Sequence, residues 1–260
     1  MTAAGGGCGN SRIPSPGSQM TVFAQRAMLL LLALTLPSTA RAQQPAGDSV
    51  ASPSARPAIP TYSFSFERPG LPVPSYILVV AQDGTARYSG NEVTQAEQAS
   101  DQAATPQPFS RQFDVSPATV KKIADLTRTL HNFSISCASK AKNVADTGKK
   151  RLTYLGPDGQ GSCTYNYSEN KDVQALTNIF QGIAETLDQG RELDHLRRYD
   201  RLGLDAAITF FAQEVTEGRA LEIGAIAASL RSIADDPQVM DRVRARASTL
   251  LALAPADYSR

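Results

Sequence analysis

The chain has 260 residues, and its 26 basic and 25 acidic side chains nearly cancel. Such a balance offers no basic field to follow a phosphate backbone, which argues against a nucleic-acid binder. The length suits one medium domain plus a smaller one.

The first 42 residues read as a targeting segment. Arg26 supplies a positive start, residues 27–36 are an apolar run too short to span a bilayer, and Ala40-Arg41-Ala42 is a small-x-small cleavage site. Residues 1–19 are Gly/Ser/Pro-rich, which makes Met20 the expected start. This segment takes Arg12, Arg26 and Arg41 with it and no acid, leaving a slightly negative, exported chain without a later membrane-spanning run. Residues 43–60, rich in Ala, Pro and Ser, read as a flexible linker.

Order begins where Tyr62, Phe64 and Phe66 alternate with polar residues, a half-buried strand whose edge is open to pairing. The run 76–80 is continuously apolar and predicts a central strand covered on both faces. Gln82-Asp83-Gly84 turns the chain into a return strand at 85–89, closing a first hairpin. Residues 91–108 form a Gln-rich insertion, and 109–115 resume as a strand. Ser116-Pro117 is a helix start, with Val120, Ile123, Leu126 and Leu130 on one face. Residues 133–137 read as extended and 138–148 as a basic loop. The second hairpin, 151–168, alternates Leu152 and Tyr154 against Cys163, Tyr165 and Tyr167 around Gly156-Pro157-Asp158-Gly159. A second helix, capped within 169–172, carries Val173, Leu176, Ile179, Phe180, Ile183 and Leu187, and Gly190 reads as its end.

From residue 191 the strand signals stop. A short charged helix closed by Gly203 is followed by helices starting at Asp205, around Ile223 and at Asp236-Pro237, expected to pack as antiparallel pairs. The fold class is therefore α+β: antiparallel hairpins packed on two helices over 61–190, then a small all-helical module over 191–260.

After removal of the N-terminal segment two cysteines remain, Cys137 and Cys163. In an exported chain this pair favours a disulfide, with free thiols or half a metal site as the alternatives. Closing that loop stabilises by about 3.5 kcal/mol in the chain-entropy account. No metal or cofactor is expected.

The order strand, Asp-Gly turn, Tyr88-Ser89-Gly90, Ser-Pro-capped helix, Phe133, second hairpin and helix resembles small uncharacterised domains of exported bacterial proteins across 61–190. This chain departs from them in its long insertion and in lacking a second cysteine near the first hairpin. The resemblance implies a fold and no activity. Residues 230–239, with Arg242, Arg244, Arg246 and Ala247, are similar to one HEAT-type helix pair, although a single pair also reads as an ordinary capped helix pair.

Catalytic signatures are scarce. There is no Gly-x-Ser-x-Gly elbow, no His-Glu-x-x-His and no phosphate-cradling Gly-rich loop. His131 sits at a helix end and His195 on a polar helix face. Asp194, Asp200 and Asp205 flank the helical junction among arginines, so a hydrolase using Asp200 or Asp205 competes with plain ion pairing. Lys140, Lys142, Lys149, Lys150 and Arg151 form a run that suits contact with an anionic surface. Tyr154, Tyr165 and Tyr167 form either a recognition face or core packing. The leading reading is a non-enzymatic exported module, periplasmic or secreted, that binds a protein or peptide partner in the cell envelope. The hydrolase and a structural envelope component bound to anionic surfaces are the alternatives.

Overall fold

The computed structural model describes residues 59–93 and 106–254. The targeting segment, its cleavage site, most of the linker and the middle of the insertion lie outside the described residues.

Six strands form one antiparallel sheet: β1 (Thr61–Glu67), β2 (Ser75–Ala81), β3 (Thr85–Glu92), β4 (Gln107–Asp114), β5 (Lys149–Gly156) and β6 (Gly159–Tyr165), in the order β4-β3-β2-β1-β5-β6. Strand β1 is interior rather than an edge, because β2 and β5 pair on its two sides, with Phe64 opposite Leu78 and Leu152. Period-2 alternation sends Phe64, Leu78, Tyr88 and Leu152 to one face, where all four are fully buried. The other face is lined by Ser63, Ser65, Thr153 and Ser162 with Ile77 and Val79, and no helix covers it among the described residues. Strand β2 is therefore covered on one face only, with Ile77 half exposed. A continuous apolar run was the wrong guide there: in this antiparallel sheet the open face tolerates an occasional aliphatic side chain between serines and threonines.

Helices α1 (Pro117–Thr129) and α2 (Lys171–Tyr199) pack on the buried face. The Ser116 hydroxyl accepts from the Thr119 N–H as the N-cap of α1, and Asn170 caps α2 through the N–H groups of Asp172 and Val173. Phe180 of α2 stacks on Phe64 with ring centres 5.5 Å apart, joining helix to sheet. Between α1 and β5 the chain makes a 3-10 turn at His131–Phe133, all three residues having positive φ, and the extended segment expected over 133–137 forms no strand.

Helix α2 does not end at Gly190. It runs for 29 residues to Tyr199, absorbing the separate charged helix expected after 191. Helix α3 (Arg201–Thr216) starts four residues before Asp205, with Gly203 inside it and Asp200 as its N-cap. The segment around Ile223 splits into a 3-10 turn, Ile223–Ile226, and α4 (Ala227–Ala234). Helix α5 (Asp241–Leu253) begins after Asp236-Pro237 rather than at it. The fold is α+β with a helical C-terminal part, and these residues lie in one compact unit, Ala51–Arg260.

The segment 219–226 ties the helical part to the two helices that cover the sheet. Gly182 and Gly190 lie on one side of α2, and a Cβ at either would collide, with Arg219 O and Leu221 at Gly182 and with Ile226 at Gly190. The segment 219–226 thus approaches α2 closely, and Leu221 N–H donates to Gly182 O at 3.0 Å. Glu222, held at φ 58°, sends its carboxylate to the start of α1, accepting from Ser116 N–H (2.9 Å), the Ser116 hydroxyl (2.8 Å) and the Thr119 hydroxyl. A carboxylate there satisfies free N–H groups and meets the positive end of the helix dipole.

Candidate functional site

The loop 138–148 is built by local hydrogen bonding and one covalent tie. Cys137 and Cys163 are joined in a disulfide, so the residue just before the loop is anchored to β6. Ser139 N–H donates to Tyr167 O at 2.9 Å. Thr147 N–H donates to Asn166 Oδ1 at 2.7 Å, and Asn166 Nδ2 donates back to Ala145 O at 2.9 Å. An Asn facing a loop in this way satisfies backbone groups that would otherwise need water.

Lys150 completes the anchor from below. Although a charged residue, it is buried, and its Nζ donates to Thr147 O, Thr147 Oγ1 and Asn166 O, each at 2.9 Å, beside the Phe66 ring. Burial pulls its pKa below the ordinary lysine value. Its charge is therefore consumed by carbonyls and is not available to an anionic surface. The basic run divides: Lys149 pairs with Glu67 at 3.4 Å, Arg151 donates to Ser162 on the open sheet face, and Lys140 and Lys142 stay exposed on the loop. The alternation of β5 sends Lys149 and Arg151 to the face opposite Lys150.

Between this loop and α2 lies a cleft of about 420 Å³, within the usual size of a ligand site. Its α2 wall carries Gln174, Asn178 and Gln181, spaced i, i+4, i+7 on one helix face. The loop side contributes Thr147, Asn166 and Tyr167, whose ring is 42% exposed. The floor is set internally: Tyr165 OH lies 2.6 Å from Thr177 Oγ1, which donates to Val173 O, and burial pushes the Tyr165 pKa up to about 12. Gln174 donates to Ser168 O at 2.7 Å. Asn178 and Gln181 form no side-chain hydrogen bond with any described residue, so two amides face the cleft with donors and acceptors free. Apart from the Lys150 ammonium, which is held by carbonyls, the lining is uncharged and rich in hydrogen-bonding groups.

A second concavity, of about 590 Å³, opens on the bare sheet face over Val79 and Ala81, rimmed by Thr85, Arg87, Gln112 and Asp114. It has a single wall, the sheet itself, whereas the α2 cleft, equally open to solvent, is bounded on two sides, by α2 and by the loop region.

The acidic residues singled out in the sequence take structural roles. Asp200 accepts from the N–H groups of Leu202 (3.2 Å) and Gly203 (3.0 Å) as a helix cap. Asp205 receives Arg242 at 2.9 Å and Arg246 at 3.5 Å, joining α3 to α5, and the Arg242 hydrogen bond holds its carboxyl below the usual range. Asp194 accepts from Ser229 at 2.8 Å. A glycosidase-type acid needs a raised pKa in an apolar pocket, and Asp205 is shifted the other way. His195 lies 4.9 Å from the Tyr199 ring, outside both concavities.

Burial raises the pKa of two carboxylates on α2, Glu185 and Asp188, neither of which periodicity singled out. Asp188 of α2 accepts the Tyr88 hydroxyl at 3.0 and 2.9 Å, and burial pushes its pKa up to about 6. Arg191 lies 3.7 Å from it, reaches Glu92 at 2.9 Å and stacks over Phe109 at 4.0 Å. This cluster lines neither concavity. Among the described residues no group of His, Cys, Asp and Glu is placed to hold a metal, and no helix is long and apolar enough to cross a membrane. No protein-family model matches the chain, and no curated protein matches it.

Proposed function

We propose that this is a non-enzymatic, exported binding module that holds an extended peptide segment of a partner protein in the cleft between α2 and the disulfide-anchored loop. The observation that supports it is the pair of unpartnered amides, Asn178 and Gln181, aimed into a cleft whose buried charge, Lys150, is already spent on carbonyls. A side-chain amide offers N–H and C=O together and so can pair with both groups of one peptide unit. Tyr167 supplies an amphipathic surface beside it at little entropic cost. The exposed Lys140 and Lys142 on the same loop favour acidic residues flanking a neutral central segment. Export rests on the N-terminal apolar run and agrees with a disulfide, the form cysteines take in oxidising compartments.

The test is a fluorescence-polarisation screen of the full chain against extended peptides with neutral centres and acidic flanks. The Asn178→Ala/Gln181→Ala variant is expected to lose about tenfold to a hundredfold in affinity, because unmatched peptide groups remain at the interface. An Asp200→Asn/Asp205→Asn variant keeps full affinity. Binding indifferent to the amide substitutions, or no peptide bound at all, overturns the reading.

A further inference from the structure

At the junction of α2 and α3 two large apolar side chains project into solvent, Tyr199 at 75% and Leu202 at 82% exposure. Leu202 opens a stripe along the outer side of α3: Ala206 and Phe210 follow at four-residue intervals, both exposed, with Phe210 at 48%. The inner side of the same helix buries Leu204, Ile208 and Phe211, so α3 is apolar on two sides while only one meets the core. The acids of α3 are engaged elsewhere: Asp205 is held by Arg242 and Arg246, and Glu214 by Arg219. Asp200 is spent on capping N–H groups. Arg198 precedes Tyr199 and Arg201 lies between Tyr199 and Leu202; both are exposed, and Arg201 also donates to Gln238 at 2.5 Å.

We propose that this Tyr199–Leu202–Phe210 ridge, flanked by Arg198 and Arg201, docks the protein on an anionic lipid surface. A Tyr ring suits the headgroup boundary, Leu and Phe suit the acyl side of it, and arginines bury their stems while keeping their charges at the phosphates. Exposed guanidinium charges beside a projecting apolar ridge complement anionic headgroups, and the one carboxylate between Tyr199 and Leu202, Asp200, is turned to its capping N–H groups. The ridge is separate in sequence and in lining from the peptide cleft, so the two readings stand or fall independently.

The experiment is co-sedimentation of the full chain with vesicles of phosphatidylcholine alone and of phosphatidylcholine mixed with phosphatidylglycerol. Retention is expected on the mixed vesicles and should fall with added salt. Leu202→Ser/Phe210→Ser should weaken it about tenfold or more. Arg198→Gln/Arg201→Gln should abolish the preference for the anionic vesicles. Both variants alter exposed side chains, and the second also removes the surface Arg201–Gln238 hydrogen bond, so thermal melts should differ little from the parent and peptide affinities should match it. Absence of parent retention overturns the proposal. So does retention unchanged by the Leu202/Phe210 pair, or retention lost only when Lys140 and Lys142 are replaced.

Discussion

Tyr88 is fully buried in β3, yet its hydroxyl has a partner because α2 brings Asp188 to it, and that pairing places a carboxylate where water is scarce. Tyr76 and Tyr88 from the sheet, Glu185 and Arg191 from α2 and Glu92 from β3 surround the group, and burial outweighs the Arg191 cation in setting its pKa at about 6. The folded chain therefore binds a proton at Asp188 that the unfolded chain releases near pH 4. Stability contributed by this group is present at low pH and declines as pH rises from about 4 to about 6, then stays flat. The loss is about 2 kcal/mol at most, since the side chain keeps 29% exposure. Asp188→Asn retains an acceptor for Tyr88 without the charge. Urea titrations should find the variant more stable than the parent at pH 7.5 and no more stable at pH 4; a difference independent of pH would show that the carboxylate titrates normally. Little of this was legible beforehand. Asp200 and Asp205 stood out because they are close together in sequence, whereas Tyr88 and Asp188 are a hundred residues apart. Lys150 was read with its neighbours as surface charge, although strand alternation turns it inward alone.

Helix α2 shows why some boundaries could be read and others not. Its start is a local event, an Asn side chain accepting two N–H groups, and the sequence reading placed it within a residue or two. Its end was placed at Gly190 because glycine in a helix interior costs about 1 kcal/mol relative to alanine and more often marks a terminus. Here the cost is offset by close approach: without a Cβ, Gly190 lets Ile226 lie against the helix, and Gly182 does the same for 219–221. Helix propensity predicts that Gly190→Ala stabilises the chain slightly, and packing predicts the reverse. The contacting atoms belong to Ile226, a fully buried β-branched side chain with little room to move. Packing should win, with a net destabilisation of about 1–3 kcal/mol by thermal denaturation. A raised melting temperature would mean that the segment 223–226 yields easily. The partner of Gly190 comes from 36 residues downstream, so no local pattern could have announced it.

At the scale of the whole molecule, the sheet is covered on one face, and the candidate cleft sits between the loop 138–148 and the first turns of α2. The fold class, the two hairpins and the pairing of Cys137 with Cys163 were legible, since each follows from period-2 alternation, turn residues or a count of cysteines. The cleft was not, because its walls come from a loop with no periodicity and from polar α2 positions that look like ordinary solvated residues. The disulfide links these two levels. By the chain-entropy account it stabilises the fold by about 3.5 kcal/mol, and by geometry it fixes the start of the loop whose far end carries Thr147 against Asn166. Cys137→Ser/Cys163→Ser should therefore lower the stability to urea by a similar amount, and it should also do something local. Hydrogen exchange at the Thr147 and Ser139 amides should quicken far more than at α4 or α5, and peptide affinity should drop even where the variant is still folded. If exchange instead rises evenly across the chain, the disulfide serves global stability alone, and the loop owes its position to Lys150 and Asn166.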